Sequence, residues 1–365
     1  MRKTVRFAAT AGIAALMAAG LAACGQGGSN GASGGSAGAS GPPTVALSNA
    51  YIGNSWRQSM IDDFQNAAKQ AQAAGTIKSF TVANAPGNNS ATDQISQIKT
   101  VLLSKPDILL IDPASPTALV PVINQACNMG VKVVVFDSGI GSDAKCAYVV
   151  TDSFTQWAKT ATEAVAKGMG GKGNLLISRG VVGSAPEAEY YAEQKDVLKG
   201  YPGIKVVGTD TGYCSSAEAQ KAVLGMIASL PKVDGVAGCG DGFGIAQAFA
   251  SAGRPIPAVT FEPSGQALRY WKGNQVGAGS VAIMSDPGES VAALYTALDI
   301  YHGKDVSKTT TFPSVEITQQ TRDQWLKVVG QDQIASWQWT QQLVDQQIAL
   351  SKQGDQLVAP PIPTN

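Results

Sequence analysis

From residue 44 onward, the chain alternates short apolar runs with longer segments in which apolar residues recur at spacings of three and four. The runs are rich in Val and Ile and end in turns of Gly, Asn, Asp, Ser or Pro, which predicts strands buried on both faces of a parallel sheet. The longer segments predict helices that cover this sheet. Candidate strands are 44–48, 80–83, 108–111, 131–136, 174–178, 205–209, 235–239, 258–261 and 279–283.

The number of strand–helix units predicts more than one domain. About ten units are too many for one ordinary sheet, so we expect an α/β fold with two doubly wound domains. The length of 365 residues agrees, because it suits two lobes of roughly 100–200 residues each. We expect the break near 151–153. The tail 319–352 carries Gln, Trp and Leu at helical spacing and predicts a helix packed on the body.

The N-terminus reads as a targeting segment. Three basic residues among the first six precede the small and apolar stretch 7–21, as in a secretory signal. The sequence Leu-Ala-Ala-Cys ending at Cys24 resembles a bacterial lipobox, so we expect 1–23 to be a lipoprotein signal peptide and Cys24 the lipid attachment site. The alternative is a plain signal peptide with a chance cysteine. The Gly- and Ser-rich segment 24–43 predicts a flexible tether.

These features predict an exported protein that is lipid-anchored to the outer face of the cell membrane or periplasmic, with membrane contact only through the anchor. Lys plus Arg equals Asp plus Glu at 27 each, so the chain has no net field to attract nucleic acid. A nucleic-acid partner is therefore not expected.

Four cysteines remain after Cys24, an even number in a compartment that permits disulfides. Three pairings are possible. The sequential one, Cys127 with Cys146 and Cys214 with Cys239, is favoured because each pair flanks one strand unit. A metal site is disfavoured because no two cysteines are close in sequence and the only histidine lies far along the chain. We expect neither a metal nor a cofactor.

Ligands of open parallel sheets bind beyond the carboxyl ends of the strands, which selects candidate positions. Carboxylates accept hydrogen bonds from hydroxyls, amides donate and accept, and aromatic rings cover the C–H faces of a sugar ring. The strand-end turns carry carboxylates, amides and aromatic rings, which together suit a neutral polyol. These residues are Asn49, Tyr51, Asn54, Trp56, Asp112, Asp137, Ser138, Tyr213, Asp241 and Glu262.

Some of these residues also have a structural interpretation. Asn54 or Ser55 could cap the helix that begins near Trp56. Asp112 precedes a proline, and a turn and helix start is the favoured reading there. Asp137 directly follows a buried strand without a capping motif, so ligand binding is favoured.

Five short stretches, in this order, resemble the type I periplasmic sugar-binding family, typified by ribose-binding protein. They are LSN at 47–49, NSWR at 54–57, IDPAS at 111–115, GVKVVVFD at 130–137 and YPGIKVVG at 201–208. The resemblance runs from about 44 to 315. It implies two Rossmann-like lobes joined by three hinge strands that cross near 151, 285 and 312. The implied lobes are 44–151 plus 285–312 and 152–284 plus 313–350, followed by a tail, 351–365.

The resemblance also implies roles for individual residues. Asp137 matches the aspartate that binds sugar hydroxyls, and the turn around Trp56 matches the position of stacking rings. Asp241 matches the acid of an Asn-Asp pair whose Asn position is a glycine here. Three other positions depart from the family pattern. Tyr190 takes the place of an arginine, Glu262 that of an aspartate and Ser285 that of the hinge glutamine. A pentose bound by the family's usual hydrogen bonds is therefore not supported.

The function implied is a monomeric solute-binding protein that delivers a sugar or polyol to the permease and ATPase of an ABC importer. One alternative is a ligand-sensing receptor for a signalling system. Another is an exported carbohydrate-acting enzyme, which is disfavoured because no Gly-x-Ser-x-Gly elbow joins a predicted strand to a predicted helix and the sequence has no cluster of metal ligands. We expect no catalytic residues.

Overall fold

The computed structural model describes residues 41–86, 89–182, 184–353 and 359–364. The predicted signal peptide, Cys24 and nearly all of the tether lie outside these residues, as does part of the tail 351–365. In the part of the chain that is described, no helix is both long enough and apolar enough to cross a bilayer.

The chain alternates strands and helices, as its hydrophobic pattern predicts. The strands are β1 (Thr44–Asn49), β2 (Ser79–Asn84), β3 (Ile108–Asp112), β4 (Lys132–Asp137), β5 (Tyr148–Asp152), β6 (Lys172–Arg179), β7 (Gly203–Thr211), β8 (Gly235–Ala237), β9 (Ala258–Phe261), β10 (Val281–Met284), β11 (Thr309–Phe312) and β12 (Val315–Ile317). The helices are α1 (Ser55–Ala73), α2 (Ala91–Leu103), α3 (Val120–Asn128), α4 (Phe154–Gly168), α5 (Ala185–Lys199), α6 (Ser216–Met226), α7 (Gly242–Ser251), α8 (Gly265–Gly273), α9 (Glu289–Tyr301), α10 (Arg322–Trp325) and α11 (Gln341–Gln353).

The strands form two six-stranded sheets. The first has the order β11-β5-β4-β3-β1-β2, and all of its strand pairs are parallel. The second has the order β12-β10-β9-β8-β6-β7 and is parallel except for the pair of β10 with β12. We call the first sheet with its helices the N-lobe and the second the C-lobe. The prediction of two doubly wound α/β lobes is confirmed.

Apolar strands form the centre of the N-lobe because both faces of its sheet are covered. Along β3 and β4, Leu110 and Val134 belong to one core cluster, whereas Leu109 and Val135 belong to a cluster on the other face. Successive side chains of a strand point to opposite faces, so a run without polar residues is what two covered faces require. Helix α9 packs on β3, β4 and β5.

The chain crosses between the sheets three times, as the resemblance implies. It leaves the N-lobe sheet after β5, returns between β10 and α9, and leaves again between β11 and β12. The crossings are tied together, because the Ser314 hydroxyl of the third donates a 2.6 Å hydrogen bond to Asp152 Oδ1 of the first.

The C-terminal segment differs from the prediction of one long helix over 319–352. It forms the short helix α10, then an extended stretch, then α11. Trp337 and Trp339 of the stretch are buried, with ring centroids 5.0 Å from Trp325 and 4.9 Å from Phe312. Helix α11 packs on α9 and β11 of the N-lobe, which corrects the assignment of all of 313–350 to the C-lobe. Packing of the large indole rings outweighs the helical spacing.

Both disulfides predicted by the sequential pairing are present. Cys127 at the end of α3 pairs with Cys146 before β5, and Cys214 after β7 pairs with Cys239 after β8. The prediction is confirmed, although β8 ends at Ala237 rather than at Cys239.

Candidate ligand-binding site

A cavity of about 660 Å³ lies between the two lobes, at the carboxyl ends of their strands. This is where the topology of open parallel sheets leads us to expect a ligand. Nine of the predicted site residues line it: Tyr51, Asn54, Trp56, Asp137, Ser138, Tyr190, Tyr213, Glu262 and Ser285.

Two of the predicted residues, Asn49 and Asp241, do not line the cavity and are fully buried. The Asn49 amide donates hydrogen bonds of 2.6 Å to the Tyr51 carbonyl and 2.9 Å to Asn84 Oδ1. These contacts hold the turn after β1. Direct ligand contact stays a prediction for both residues, and their complete burial argues against it.

The start of α1 forms one wall of the cavity. The Asn54 side chain accepts a 2.8 Å hydrogen bond from the Arg57 amide and therefore caps the helix, as one reading of the sequence proposed. The Trp56 indole is only 7% exposed and donates a 2.8 Å hydrogen bond to the Ser285 carbonyl at the second crossing. Trp56 thus joins the N-lobe to the second crossing and lines the cavity with little of its surface exposed.

The Arg57 guanidinium links three polar groups of the N-lobe wall. It contacts Asp112, donates a 3.1 Å hydrogen bond to Asn49 Oδ1 and lies 3.6 Å from Asp137 Oδ2. Burial lowers the pKa of Arg57 below its usual value, and the carboxylate of Asp137 opposes this shift. Asp112, for which the sequence favoured a turn, is fully buried against this guanidinium.

Asp137 lies at the end of β4 with φ +60°, an unusual conformation for a residue other than glycine. The Thr151 hydroxyl donates a 2.9 Å hydrogen bond to its carbonyl. Burial raises the pKa of Asp137, while Arg57 and the Ser138 hydroxyl lower it. Its carboxyl group faces the cavity and can bind a hydroxyl group.

Three polar residues of the C-lobe share hydrogen bonds, and the central one, Ser178, lines the cavity. Ser178 Oγ lies 2.7 Å from Asp210 Oδ1 and 2.6 Å from Asp241 Oδ2. A serine hydroxyl has one proton to donate, so a hydrogen bond to both acids needs a proton on one of them. Burial raises the pKa of Asp210 to about 6 and that of Asp241 to about 7, and the Ser178 hydrogen bonds partly offset these shifts.

The opposite wall contains a second guanidinium. Arg179 Nη2 lies 2.6 Å from Glu187 Oε1, and its Cζ lies 4.2 Å from the centre of the Tyr191 ring. Tyr190, which stands at the family's arginine position, is 5% exposed and donates a 2.7 Å hydrogen bond to the Gly238 carbonyl. The cavity therefore contains an arginine on this side, but one that comes from the end of β6.

Glu262 follows β9 and is 8% exposed. It accepts a 3.0 Å hydrogen bond from the Ser264 hydroxyl, and burial raises its pKa. Among the described residues, no group of three or more His, Cys, Asp or Glu side chains could hold a metal ion.

A family model described as "Periplasmic binding protein domain" matches residues 45–305. The chain belongs to the periplasmic binding protein family. The solute-binding protein of an ABC transporter from Thermobispora bispora has a solved structure that is 58% identical, with a TM-score of 0.84, covering 88% of this chain and 99% of that one. The similarity predicted from the five sequence stretches is confirmed.

More distant relatives have names that state their ligands. A xylitol-binding protein of Mycolicibacterium smegmatis is 27% identical over 65% of this chain and 68% of its own length. The ribose import binding protein of Bacillus subtilis is 23% identical over 74% of this chain and 85% of its own. A Bacillus halodurans solute-binding protein with bound myo-inositol shares the fold at 19% identity and a TM-score of 0.70, over 80% of this chain and 99% of that one.

The site of this periplasmic binding protein includes residues that the sequence did not single out. Arg179 directly follows the predicted strand 174–178, so the strand-end rule could have found it. Arg57 belongs to the NSWR stretch, but the sequence assigns it no role of its own. Glu187 lies on α5, away from any strand end, and nothing in its local sequence distinguishes it.

Proposed function

We propose that this periplasmic binding protein is the solute-binding subunit of an ABC importer and captures a neutral sugar or polyol. The main support is the charge pattern of the cavity. Arg57 contacts Asp112 and Asp137, and Arg179 contacts Glu187, so both arginines already have carboxylate partners. An acidic ligand would have to displace one of them, whereas hydroxyl groups can bind the remaining lone pairs and N–H groups.

The lobes would close on the ligand by rotation at the three crossings. The ligand touches residues of both lobes only in the closed form, so binding shifts the population toward that form by the difference in affinity. Trp56, through its bond to Ser285, connects the ligand-binding wall with the second crossing. The permease would then recognise the closed lobes, and the ATPase would drive transport.

The protein would act outside the cytoplasm as a monomer. Cys24 would carry the lipid and 24–43 would form the tether that lets the lobes reach the permease. The relatives that match this chain are solute-binding proteins, which supports binding without catalysis.

A thermal-shift screen tests the proposal. The compounds are xylitol, myo-inositol, D-ribose and D-glucose, with D-gluconate and D-galacturonate as acidic counterparts. A ligand at a hundred times its Kd adds about 2.7 kcal/mol to the stability, which raises Tm by several degrees. We expect at least one neutral compound to do so and the acidic compounds to do less. Tighter binding of the acidic compounds, or no shift with any neutral one, would refute the proposal.

A variant locates the binding site. Asp137→Asn removes the charge that faces the cavity, and we expect it to raise Kd by about tenfold or more, the usual worth of a hydrogen bond to a charged group. Asp332→Asn, at an exposed position, is the matched control and should leave Kd unchanged. X-ray scattering should show a smaller radius of gyration with the ligand than without it.

A further inference from the structure

The disulfide between Cys214 and Cys239 lies in the wall of the ligand cavity. Cys214 follows β7 and Cys239 follows β8, so the bond joins the turns at the carboxyl ends of two strands. A third turn, after β6, packs directly on it: a Cβ atom at Gly180 would lie 2.9 Å from Cys214 Sγ. Three of the turns that form the C-lobe side of the site therefore meet at this disulfide.

The turn that contains Cys214 has a backbone conformation that its residues disfavour. The Ser215 amide donates a 2.9 Å hydrogen bond to the Gly212 carbonyl, and the two central residues, Tyr213 and Cys214, have φ of +57° and +50°. Turns with positive φ at both central positions favour Gly and Asn there, because other side chains collide with the backbone. Something other than local preference must hold this turn.

Tyr213 depends on the turn for its position. Its side chain is 51% exposed and lines the cavity, and within the described residues it makes no hydrogen bond or ring contact. Only the backbone fixes it, through the hydrogen bonds of 3.0 Å and 3.1 Å that the Gly212 and Tyr213 amides donate to the Arg179 carbonyl. A tyrosine ring in a cavity wall can cover the C–H face of a sugar.

We infer that the Cys214–Cys239 disulfide is a positioning element of the binding site, which holds Tyr213 against the ligand and so sets the affinity. The effect on affinity rests on the proposed function, whereas the effect on the turn does not. The other disulfide, Cys127–Cys146, joins the end of α3 to the loop before β5 in the N-lobe and does not line the cavity. We therefore expect its removal to change stability but not affinity.

The two disulfides provide a matched comparison. They close loops of similar length, with sequence separations of 25 and 19 residues, so their removal should lower global stability by similar amounts. The site variant is Cys214→Ala with Cys239→Ala, and the control is Cys127→Ala with Cys146→Ala. Alanine keeps the Cβ atom at position 214, so the disfavoured turn is not relieved. Tyr213→Gly, which removes the ring and suits the positive φ, is made in the wild type and in both double variants.

Hydrogen–deuterium exchange without ligand tests the turn. We expect the amides of 212–215 to exchange at least about tenfold faster in the site variant than in the control, because the turn opens locally once its covalent link is lost. Equal protection of these amides in the two variants would overturn the inference. This result needs no ligand, so it stands even if the proposed function fails.

Calorimetric titration with xylitol and myo-inositol tests the affinity. We expect Kd to rise about tenfold in the site variant and in Tyr213→Gly, and to stay within about twofold of wild type in the control. Tyr213→Gly should raise Kd hardly further in the site variant, whereas in the control it should raise Kd as much as it does in the wild type. Additive losses in the site variant would mean that the disulfide does not act through Tyr213. If neither polyol binds, the exchange measurement alone decides whether the disulfide holds the turn.

Discussion

The pair of acids on either side of Ser178 makes stability depend on pH, and replacing one of them, Asp241, should remove the larger part of this dependence. Asp241 is fully buried, and its pKa is raised to about 7 from the 3.8 of a free side chain, mainly by burial. The native protein therefore holds a proton on this carboxyl group over a pH range in which the unfolded chain has lost it. Asp241→Asn puts a neutral amide in its place, and the amide N–H₂ can donate to Ser178 Oγ as the protonated acid does.

The sign and size of the effect follow from linkage. The native state binds more protons than the unfolded state between about pH 4 and 7, so the wild type loses stability as pH rises through this window and loses no more above it. A shift of about 3 pK units corresponds to about 4 kcal/mol. Relaxation around the ionised group reduces this, so we expect about 2–4 kcal/mol. The asparagine variant lacks this contribution, whereas Asp210, whose pKa is raised to about 6, keeps its own in both proteins.

The assay is urea unfolding followed by tryptophan fluorescence at pH 4, 5, 6, 7 and 8. Asp241→Asn should match the wild type near pH 4 and exceed it increasingly up to pH 7, by about 2–4 kcal/mol in the free energy of unfolding. The exposed control Asp332→Asn should show the same difference from wild type at every pH. A constant offset for Asp241→Asn across the whole range would refute the linkage argument.

Three further predictions concern other parts of the structure. Trp56→Phe keeps an aromatic ring but removes the hydrogen bond to the Ser285 carbonyl, so we expect a loss of about 1–3 kcal/mol in urea unfolding and a more open form in X-ray scattering. Gly244→Ala should lower Tm by several degrees in calorimetry, because the new Cβ would overlap the Ser216 carbonyl where α6 meets α7. Glu289→Gln should raise Tm more at pH 8 than at pH 5. Burial and neighbouring carboxylates raise the pKa of Glu289 well above its usual range, so the wild type is destabilised as pH rises, and an equal change at both pH values would contradict this.

Much of the fold could be predicted from single segments of the chain. The valine-rich run 131–136 predicted a strand buried on both faces, and it forms the inner strand β4. The prediction holds because a strand that is covered on both faces needs apolar residues at successive positions. The short strands β5, β11 and β12 carry polar residues among their apolar ones, and no periodicity singled them out. Strand β11 pairs with β5 and β12 pairs with β10, so these pairings depend on strands that are not adjacent in sequence.

The candidate site was predicted in part, since the position of a residue at a strand end can be read from the sequence but its side-chain direction cannot. Asp137 and Ser138 line the cavity as expected. Asn49 ends β1 and Asp241 directly precedes α7, yet both are fully buried and neither lines the cavity.

The amino-acid sequence by itself determined the alternation of strands and helices and the two-lobed α/β architecture, because these follow from local periodicity. It also favoured the disulfide pairing, because each pair of cysteines flanks one strand unit. The tertiary structure decided which polar groups share a proton and which join the lobes. Ser178 meets Asp241 across 63 residues and Trp56 meets Ser285 across 229. Such contacts depend on strand order and on the path of the chain between the lobes, and local sequence specifies neither of these.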